Sequence, residues 1–419
     1  MKPEIFIARR LNFKRNDNRP QSPAIAVAVI GVALAVIVMT VAVAVMLGFK
    51  HEIRDKVMGF DSGITIQAYS MTQHNDYLPA PVVLNDTIRT IITEEIPADA
   101  TLTLNLRQPA ILKTDDNFLG IVLNGLAADG DYSFISKNLI DGTIPDYSDP
   151  ESADRIIVSE SMANTLGLST GDRIRTYFFI DDRIRVRNPE ISAIYNSNFG
   201  EYDRTVAYCS LSLPGRLLGL DSISGGAIAV NGIAPEKLEY YTDRLQQHLA
   251  DAYYAGTTDT WYQVDNVYHT GALYFNWLEL LDTNVVVILI LMACVSGFSL
   301  VSSLFIIILE RVSTIGLLKA IGTPDAMIRR IFIYMAQRLV ITGLIAGNLV
   351  AAGLVVLQHH TRFLPLDPEA YYLSYVPVEL HWWHMILINA GILVLSWGIL
   401  LIPAHIIARI SPARTMRYE

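Results

Sequence analysis

The sequence predicts a polytopic α-helical membrane protein with four transmembrane helices and a large exterior α+β domain. Of its 419 residues, 52% are hydrophobic and only 17% are charged, a balance that soluble globular proteins of this length rarely show. Four apolar runs, at 24–49, 285–309, 339–357 and 384–407, are each long enough to cross the hydrocarbon layer of a bilayer. Between the first two runs lies a long segment with mixed strand and helix patterns.

The first apolar run is expected to be a retained membrane anchor. It is longer than the apolar core of a secretory signal, and it ends in LGFKHEIRDK without a small-residue cleavage site. A helical pattern continues beyond it through HEIRDKVMGF, and YHTGALYFNWLELLDTN leads into the second run in the same way. We therefore expect both helices to extend past the membrane as a stalk that carries the exterior domain.

Charge predicts the orientation of the chain. Thirteen lysines and arginines, against five acids, fall in the N-terminal lead-in, in the loop between the second and third runs, and in the C-terminal tail. The positive-inside rule places these three segments in the cytoplasm and the segment 50–281 outside. That exterior segment holds 17 basic and 32 acidic residues, so it lacks the basic face that nucleic-acid binding requires.

These patterns divide the chain into nine segments. They are an amphipathic cytoplasmic lead-in at 1–22, a first span at 23–49, the exterior α+β domain with its stalk ends at 50–281, a second span at 282–309, a cytoplasmic loop at 310–330, a third span at 331–357, an exterior loop at 358–382, a fourth span at 383–408 and a cytoplasmic tail at 409–419. The lead-in is either a helix lying on the membrane surface or only a basic flank. The tyrosines and tryptophans of the 358–382 loop either form an interfacial belt or pack under the exterior domain.

The exterior domain mixes both kinds of secondary structure. Six stretches have the β-branched enrichment or alternation of strands: GITIQA, TLTLNL, NFLGIVLNGL, DRIIVS, DRIRTYFF and NPEISAIY. Two others, ESMANTLG and APEKLEYYTDRLQQHLA, have helical spacing. At roughly 230 residues, the domain is large enough for one sizeable core or two subdomains.

The loop 310–330 contains a short helix with an apolar face. Four apolar side chains are expected to cluster on that face beside Lys319, namely Ile315, Leu317, Leu318 and Ile321. A rigid apolar face bounded by charge is what a cytoplasmic partner needs in order to push on the membrane helices. The alternative is that these side chains simply lie in the lipid interface.

A sharp turn and a second helix are expected next. Gly322 stands where a helix commonly ends in the left-handed conformation. Thr323 can cap a new helix, with Pro324 in its first turn and Asp325 at its positive end. The loop is therefore predicted to be helix, turn, helix.

Several stretches resemble the permease subunits of lipoprotein-releasing ABC transporters, the LolC/LolE family, within the wider group that includes MacB and FtsX. They are spread over nearly the whole chain: FIARRLNFK, VMLGFKHEIRDKVMGFDSGITI, RIIVSESMANTLGLSTGDRI, AIYNSNFGEYD, STIGLLKAIGTPDAMIRRIF, LPLDPEAYYLSYVPVEL and ISPARTMRYE. The resemblance implies the MacB-like, type VII architecture of ABC transporters. It also implies a multi-pass protein of the bacterial inner membrane, with cytoplasmic termini and a periplasmic domain.

The resemblance implies a set of partners. A second permease copy or paralogue would pair with this chain. A LolD-like ATPase dimer would dock on the coupling loop and drive release of a lipoprotein towards a periplasmic LolA-like carrier. The chain contains no G-x-x-x-x-G-K-[ST] phosphate loop, so no cofactor is expected on it, and ATP and Mg²⁺ would bind the partner ATPase. The residues expected at the ATPase contact are Arg311, Ile315, Leu317, Leu318, Lys319, Ile321, Gly322, Pro324 and Arg329.

The resemblance also implies a lipid-receiving cavity between the first and second spans of opposite subunits. The candidate lining residues are Met39, Val43, Met46 and Phe49 on the first span and Leu289, Met292 and Ser296 on the second. Flexible methionine side chains suit acyl chains of variable shape. Each of these positions could equally be an ordinary lipid-facing or packing position.

Two departures from the family pattern bear on the partners. Many relatives have an acidic residue just before the Ile-Gly pair of the coupling loop, where this chain has Thr314 before Ile315 and Gly316. Relatives that recruit the carrier have a longer, proline-containing hook, whereas RTYFFIDDRIRVRNPE turns back with little room for one. Carrier docking therefore either differs here or belongs to another subunit.

Three smaller patterns complete the expectations. Gly343 and Gly347 form G-x-x-x-G, which allows close contact with a neighbouring span. Gln337 and Arg338 are expected to reach the cytoplasmic interface. The paired histidines around the last exterior loop do not form a metal-ligand pattern, so no metal is expected. No nucleophile elbow or zinc-protease signature occurs, so a catalytic role is not expected.

Two other functions remain as alternatives. One is MacB-like efflux or mechanotransmission, although MacB carries its ATPase in the same chain and this sequence starts about 20 residues before its first span. The other is FtsX-like control of a periplasmic hydrolase, which is disfavoured because FtsX exterior domains are much smaller than 50–281.

Overall fold

The structure, a computed structural model, describes residues 23–71, 77–180 and 183–404. The predicted lead-in at 1–22, the tail at 409–419 and the end of the fourth span lie outside these residues. Thirteen α-helices are described, in chain order α1 Pro23–Phe60, α2 Asp86–Glu95, α3 Ser133–Lys137, α4 Glu160–Leu166, α5 Gly200–Thr205, α6 Ser212–Leu218, α7 Leu238–Tyr254, α8 Val267–Thr270, α9 Ala272–Glu310, α10 Val312–Ala320, α11 Asp325–Thr361, α12 Pro368–Tyr371 and α13 Trp382–Ala404.

The described strands number fourteen. They are β1 Ile64–Met71, β2 Tyr77–Ala80, β3 Val82–Val83, β4 Thr101–Lys113, β5 Phe118–Leu126, β6 Leu139–Gly142, β7 Arg155–Ser159, β8 Arg175–Ile180, β9 Arg183–Arg187, β10 Glu190–Tyr195, β11 Val206–Ser210, β12 Ser224–Gly225, β13 Ala227–Asn231 and β14 Trp261–Asn266. All six stretches that were predicted as strands form strands. Both predicted helices form, although the second begins as a 3-10 turn at Pro235–Lys237 before α7.

Four helices in the described part of the chain are long and apolar enough to cross a membrane: α1, α9, α11 and α13. The chain divides into two compact units. The first, here called the helical unit, comprises residues 1–51, 277–365 and 375–419, and the second, here called the sheet unit, comprises 52–276 and 366–374. The predicted fold class, four membrane helices with a large α+β domain, is confirmed.

The helical unit is held together by a shared apolar core. Buried side chains of α1, such as Val32 and Val36, join those of α9, α11 and α13 in one cluster. Polar pairs add to this packing, because the carboxamides of Asn348 in α11 and Asn389 in α13 bond to each other at 2.7 and 3.2 Å. Gln337 donates to Ser396 Oγ of α13 at 3.2 Å, and its expected position at the cytoplasmic interface stays a prediction.

The sheet unit is built on a mixed sheet of twelve strands. Their order is β14-β1-β13-β4-β5-β11-β7-β10-β6, with β2 added to β1, β8 to β4 and β9 to β8. β11 pairs in parallel with β5, and β10 pairs in parallel with β7. Helices α4 and α6 cover one face, where Met162 and Leu213 are buried together with strand residues in a single apolar cluster.

Helix α4 shows how local sequence sets these boundaries. Ser159 is its N-cap and accepts a hydrogen bond from the Met162 N–H at 3.1 Å. Gly167 ends it in the left-handed conformation, which glycine adopts without steric penalty. The helix therefore starts and stops where the ESMANTLG pattern indicates.

Part of the last exterior loop belongs to the sheet unit. Residues 366–374 group with it, and the Tyr372 carbonyl accepts a hydrogen bond from Lys56 Nζ at 2.9 Å. The Tyr372 ring lies 5.1 Å from that of Phe199 and 5.5 Å from that of Tyr274. The structure therefore shows that Tyr372 packs within the sheet unit.

Candidate functional site

The segment between α9 and α11 has a defined geometry. Helix α10 ends at Ala320, and Gly322 follows with φ of +84°. The Thr323 N–H bonds to the Leu318 carbonyl and the Gly322 N–H to the Lys319 carbonyl, each at 3.0 Å. These two bonds form a Schellman motif, which favours glycine at this position because its backbone is left-handed.

The second helix starts one residue later than expected. Pro324 is the N-cap of α11, with an extended backbone, and Asp325 is the first helical residue. Thr323 is therefore not the cap, because the first helical bonds, from the Met327 and Ile328 N–H groups, go to the Pro324 carbonyl at 2.9 and 3.2 Å. The Asp325 carboxylate lies 2.9 Å from Lys319 Nζ, near the positive end of the helix dipole.

Burial separates the four apolar residues of α10 and its C-cap, which were expected to share one face. Ile315 is fully buried in the apolar cluster of the helical unit, and Leu318 packs against that cluster. Leu317 and Ile321 are 61% and 71% exposed. The expectation that all four residues share one face is therefore wrong. They are spread over a wide arc of the helix, so Ile315 and Leu318 pack against the bundle while Leu317 and Ile321 remain exposed.

The other expected coupling residues lie on the same helix-turn-helix. Arg311 is the N-cap of α10 and is half-buried, as is Arg329 in the second turn of α11. Gly322 and Pro324 are exposed at the turn, and Thr314 is half-buried. The structure thus brings all nine residues into one short segment, and their contact with an ATPase stays a prediction.

The candidate cavity residues face the interior of the chain's own bundle. Met39, Val43, Phe49 and Ser296 are buried, while Met46, Leu289 and Met292 are half-buried. Phe49 packs edge-to-face on Trp277 at 6.3 Å. On the second span, the exposed large apolar side chains are a different set, which includes Val286, Val287, Ile290, Leu291, Val295, Phe298, Ile306 and Leu309. Sequence reasoning missed this set, although its helical spacing could have indicated it.

The two glycines of the third span meet the first span. A Cβ atom on Gly343 would lie 2.8 Å from Val32 Cβ, and one on Gly347 would lie 2.8 Å from both Val36 Cβ and the Ala33 carbonyl oxygen. Real side chains do not approach this closely, so α1 and α11 pack together only because both positions lack a side chain.

The region expected to lack a long hook is a tight hairpin. Ile180 of β8 pairs with Arg183 of β9, so only Asp181 and Asp182, which lie outside the described residues, connect the strands. Phe179 and Ile184 are cross-strand partners, and both are exposed. This apolar pair was not singled out from the sequence, although the alternation in RTYFFI contains it.

Within residues 23–71, 77–180 and 183–404, no group of three or more histidine, cysteine or acidic side chains could hold a metal ion. Near the last exterior loop, the Glu379 carboxylate lies 3.6 Å from His51 and 3.5 Å from His381. The Glu379 N–H also bonds to the Ala44 carbonyl at 2.9 Å. These contacts attach the loop to α1 within the helical unit.

Two family models match this chain. The MacB-like periplasmic core domain matches residues 25–248, more than half of the chain, and the FtsX-like permease C-terminal region matches 286–412. The lipoprotein-releasing system transmembrane protein LolC of Xylella fastidiosa is 23% identical over 94% of this chain and 93% of its own length. The protein of the same name from Haemophilus influenzae is 24% identical over 80% of this chain and 85% of its own length.

Among solved structures, the periplasmic region of MacB from Actinobacillus actinomycetemcomitans aligns with 53% of this chain and 97% of its own length, at 10% identity and a TM-score of 0.34. The family matches and the LolC relatives cover both the exterior and the membrane parts of the chain. The chain belongs to the family of ABC transporter permeases with a MacB-like periplasmic core domain and an FtsX-like C-terminal region, and within it the chain is a LolC/LolE-like permease.

Proposed function

We propose that this permease extracts lipoproteins from the outer leaflet of the bacterial inner membrane, for transfer towards the outer membrane. The relatives over most of its length are proteins of lipoprotein-releasing systems. In this proposal the large domain is periplasmic and both termini are cytoplasmic. The chain pairs with a second permease copy or paralogue.

The proposed reaction needs an external energy source. Each buried acyl methylene contributes about 0.8 kcal/mol to membrane binding, so a protein with two or three acyl chains does not leave the bilayer at a useful rate by itself. The proposal places ATP and Mg²⁺ on a separate, LolD-like ATPase dimer. The permease itself converts the motion of that ATPase into movement of its membrane helices.

The observation that carries this proposal is the construction of α10. Its exposed side holds Leu317 and Ile321, while its buried side holds Ile315 in a cluster with Ile307 of α9 and Ile328 of α11. A force applied to the exposed side is therefore transmitted to both spans through close-packed side chains, which deform little. The Schellman turn keeps α10 from rotating freely relative to α11.

The test is to remove the apolar contact without disturbing the bundle. In Leu317→Asp/Ile321→Asp, two exposed side chains become charged, so the folded permease persists while the ATPase contact loses its apolar centre. The matched control is Phe118→Asp, an equally exposed apolar residue of the sheet unit. Permease variants are co-purified with the ATPase, and lipoprotein release is then measured in proteoliposomes.

The double variant is expected to lose most ATPase co-purification and most release, while Phe118→Asp keeps both. Equal co-purification of the double variant and the control would remove α10 from the ATPase contact. Retained ATPase binding to the wild-type chain without lipoprotein release, together with capture of an efflux pump or a cell-wall hydrolase, would favour the MacB-like or FtsX-like alternative.

Carrier recruitment forms a separate part of the proposal. The paired residues Ile180 and Arg183 are separated by only two residues, which supports the absence of a longer, proline-containing hook. A LolA-like carrier is therefore assigned to the second permease of the pair. Carrier capture by this chain alone, assayed by cross-linking in the periplasm, would contradict that assignment.

A further inference from the structure

The sheet unit contains a cleft that the transport proposal does not use. It has a volume of about 410 Å³ and lies between the C-terminal end of α1, helix α3 and one face of the central sheet. Its floor is formed by four neighbouring strands in the order β13, β4, β5 and β11. Clefts of this size are typical of small-molecule sites.

The floor of the cleft carries neutral hydrogen-bonding groups where a sheet face under a helix is usually apolar. Asn105, Asn124, Asn231 and Tyr208 line it. Tyr208 and Asn124 are register partners on β11 and β5, so their side chains lie side by side on the same face. Both residues are almost fully buried, at 2% and 4% exposure.

Two of these buried groups have no partner in the described part of the protein. The Tyr208 hydroxyl and the Asn124 Oδ1 atom each lack a hydrogen bond. An unsatisfied buried polar atom costs free energy, so native proteins normally pair such groups with protein, water or ligand. Burial also raises the pKa of the Tyr208 phenol, which keeps the hydroxyl protonated and able to donate.

The walls of the cleft are aromatic. Phe60 at the end of α1 and Phe134 of α3 meet edge-to-face, with ring centres 4.9 Å apart. Aromatic walls above a polar floor suit a ligand that has apolar C–H faces and hydroxyl edges. A single hydroxyl oxygen can accept from Tyr208 and donate to Asn124 Oδ1 at the same time, whereas an N–H group can only donate and a carbonyl oxygen can only accept.

Charge at the cleft narrows the ligand class. Carboxylates outnumber ammonium groups among the lining side chains, with Glu52, Asp55 and Asp131 against Lys56 and Lys137, while Asp61 forms an ion pair with Arg107. This excess disfavours anionic ligands. At the buried floor a cation would lose its hydration and would be repelled by the Arg107 guanidinium, since Arg107 is the β4 register partner of Asn124.

We propose that this cleft is a binding site for a neutral saccharide, held by the Tyr208 hydroxyl and the Asn124 carboxamide and packed against the aromatic wall that Phe60 and Phe134 form. The site lies entirely within the sheet unit and does not depend on lipoprotein release. It would give the exterior domain a second recognition function in the compartment it occupies.

The test uses the full chain, purified in a polyoxyethylene detergent so that no sugar headgroup competes. Maltose, N-acetylglucosamine and the anionic N-acetylneuraminic acid are titrated by calorimetry and by saturation-transfer NMR. The variants are Tyr208→Phe and Asn124→Leu, which remove the unpartnered atoms. The matched control is Tyr195→Phe, because the Tyr195 hydroxyl donates to the Val206 carbonyl at 2.7 Å and its ring lies 5.6 Å from that of Tyr208.

A neutral sugar is expected to bind saturably, and Tyr208→Phe and Asn124→Leu are each expected to weaken it about tenfold. Without sugar, neither variant should lower Tm, since neither atom has a protein partner. Tyr195→Phe should do the opposite, lowering Tm by about 2–4 °C and leaving sugar affinity unchanged.

Three results would overturn the proposal. One is the absence of saturable binding by either neutral sugar. Another is that the anionic sugar binds as tightly as the neutral sugars, or that Tyr208→Phe and Asn124→Leu both bind the neutral sugar as tightly as the wild type. The third is a drop in the sugar-free Tm of Tyr208→Phe as large as that of Tyr195→Phe, which would show that ordered water already satisfies the hydroxyl and fills the cleft.

Discussion

Lys319 Nζ lies 2.9 Å from the Asp325 carboxylate, so an ion pair bridges the turn between α10 and α11. The Lys319 side chain is mostly buried, whereas that of Asp325 is half-exposed. The pair supplements the two backbone bonds of the Schellman motif across the same turn. The position of α10 against α11 therefore depends on both a backbone motif and a side-chain contact.

Charge reversal at Lys319 is the first prediction. Lys319→Glu places two carboxylates together and is expected to weaken ATPase association by a free energy of order 1 kcal/mol, about fivefold in affinity. The swapped pair Lys319→Glu/Asp325→Lys should recover most of this loss if the lysine acts by holding the turn. Co-purification with the ATPase at matched membrane levels provides the measurement, and no recovery in the swapped pair would mean that Lys319 contacts the ATPase directly.

The glycines of the third span provide the second prediction. Gly347→Ala adds a methyl group where the Ala33 carbonyl oxygen and Val36 Cβ would each be 2.8 Å away. We expect it to push α1 from α11 and to destabilise the helical unit by about 1–3 kcal/mol. Gly353→Ala, at a position with open space around it, is the control on the same helix. Thermal unfolding in detergent should separate the two, and equal Tm values would contradict the close packing.

The carboxamide pair of α11 and α13 leads to the third prediction. Asn348→Leu leaves Asn389 without its partner on the other helix and should cost about 1 kcal/mol. Because the two amides bond each other, Asn348→Leu/Asn389→Leu should cost less than the sum of the single changes. A double-mutant cycle measures this coupling, expected near 0.6 kcal/mol. Strictly additive losses would show that the pair contributes nothing.

The fourth prediction concerns pH and Asp203 in the sheet unit. Burial raises the pKa of this carboxyl above its ordinary value of 3.8, although hydrogen bonds from the Ser197 hydroxyl and the Phe199 N–H act in the opposite direction. Because the folded-state pKa is raised, the stabilisation that this carboxyl gives to the folded state is fully present below pH 3.8. It is lost as the pH rises through the folded-state pKa.

Asp203→Asn removes that titration. Its Tm relative to the wild type should therefore rise between about pH 4 and pH 7, whatever constant penalty the amide introduces. Tm values of both proteins across this range supply the measurement. Parallel Tm curves would mean that the Asp203 carboxyl has the same pKa in the folded and unfolded states.

The membrane fold and the helix-turn-helix could be predicted from the sequence because their causes are local. An apolar run of sufficient length has few structures available to it in a bilayer, and Gly322 followed by Pro324 ends one helix and permits another. Alternation and β-branched enrichment likewise predicted six of the fourteen strands, whereas others, such as β11, β13 and β14, were not predicted. These features depend on neighbours along the chain, so the order of residues contains the information.

Tertiary structure alone decided which side of each element is buried. Ile315 and Ile321 look alike in the sequence, yet one is in the core and the other is exposed, because burial depends on where α9 and α11 pass. The same holds for Met39 and Ser296, which face their own bundle. Tyr208 and Asn124 are 84 positions apart in the sequence, and the pairing of β11 with β5 places them side by side. Such contacts join segments distant in the chain, and periodicity within one segment does not specify its partner.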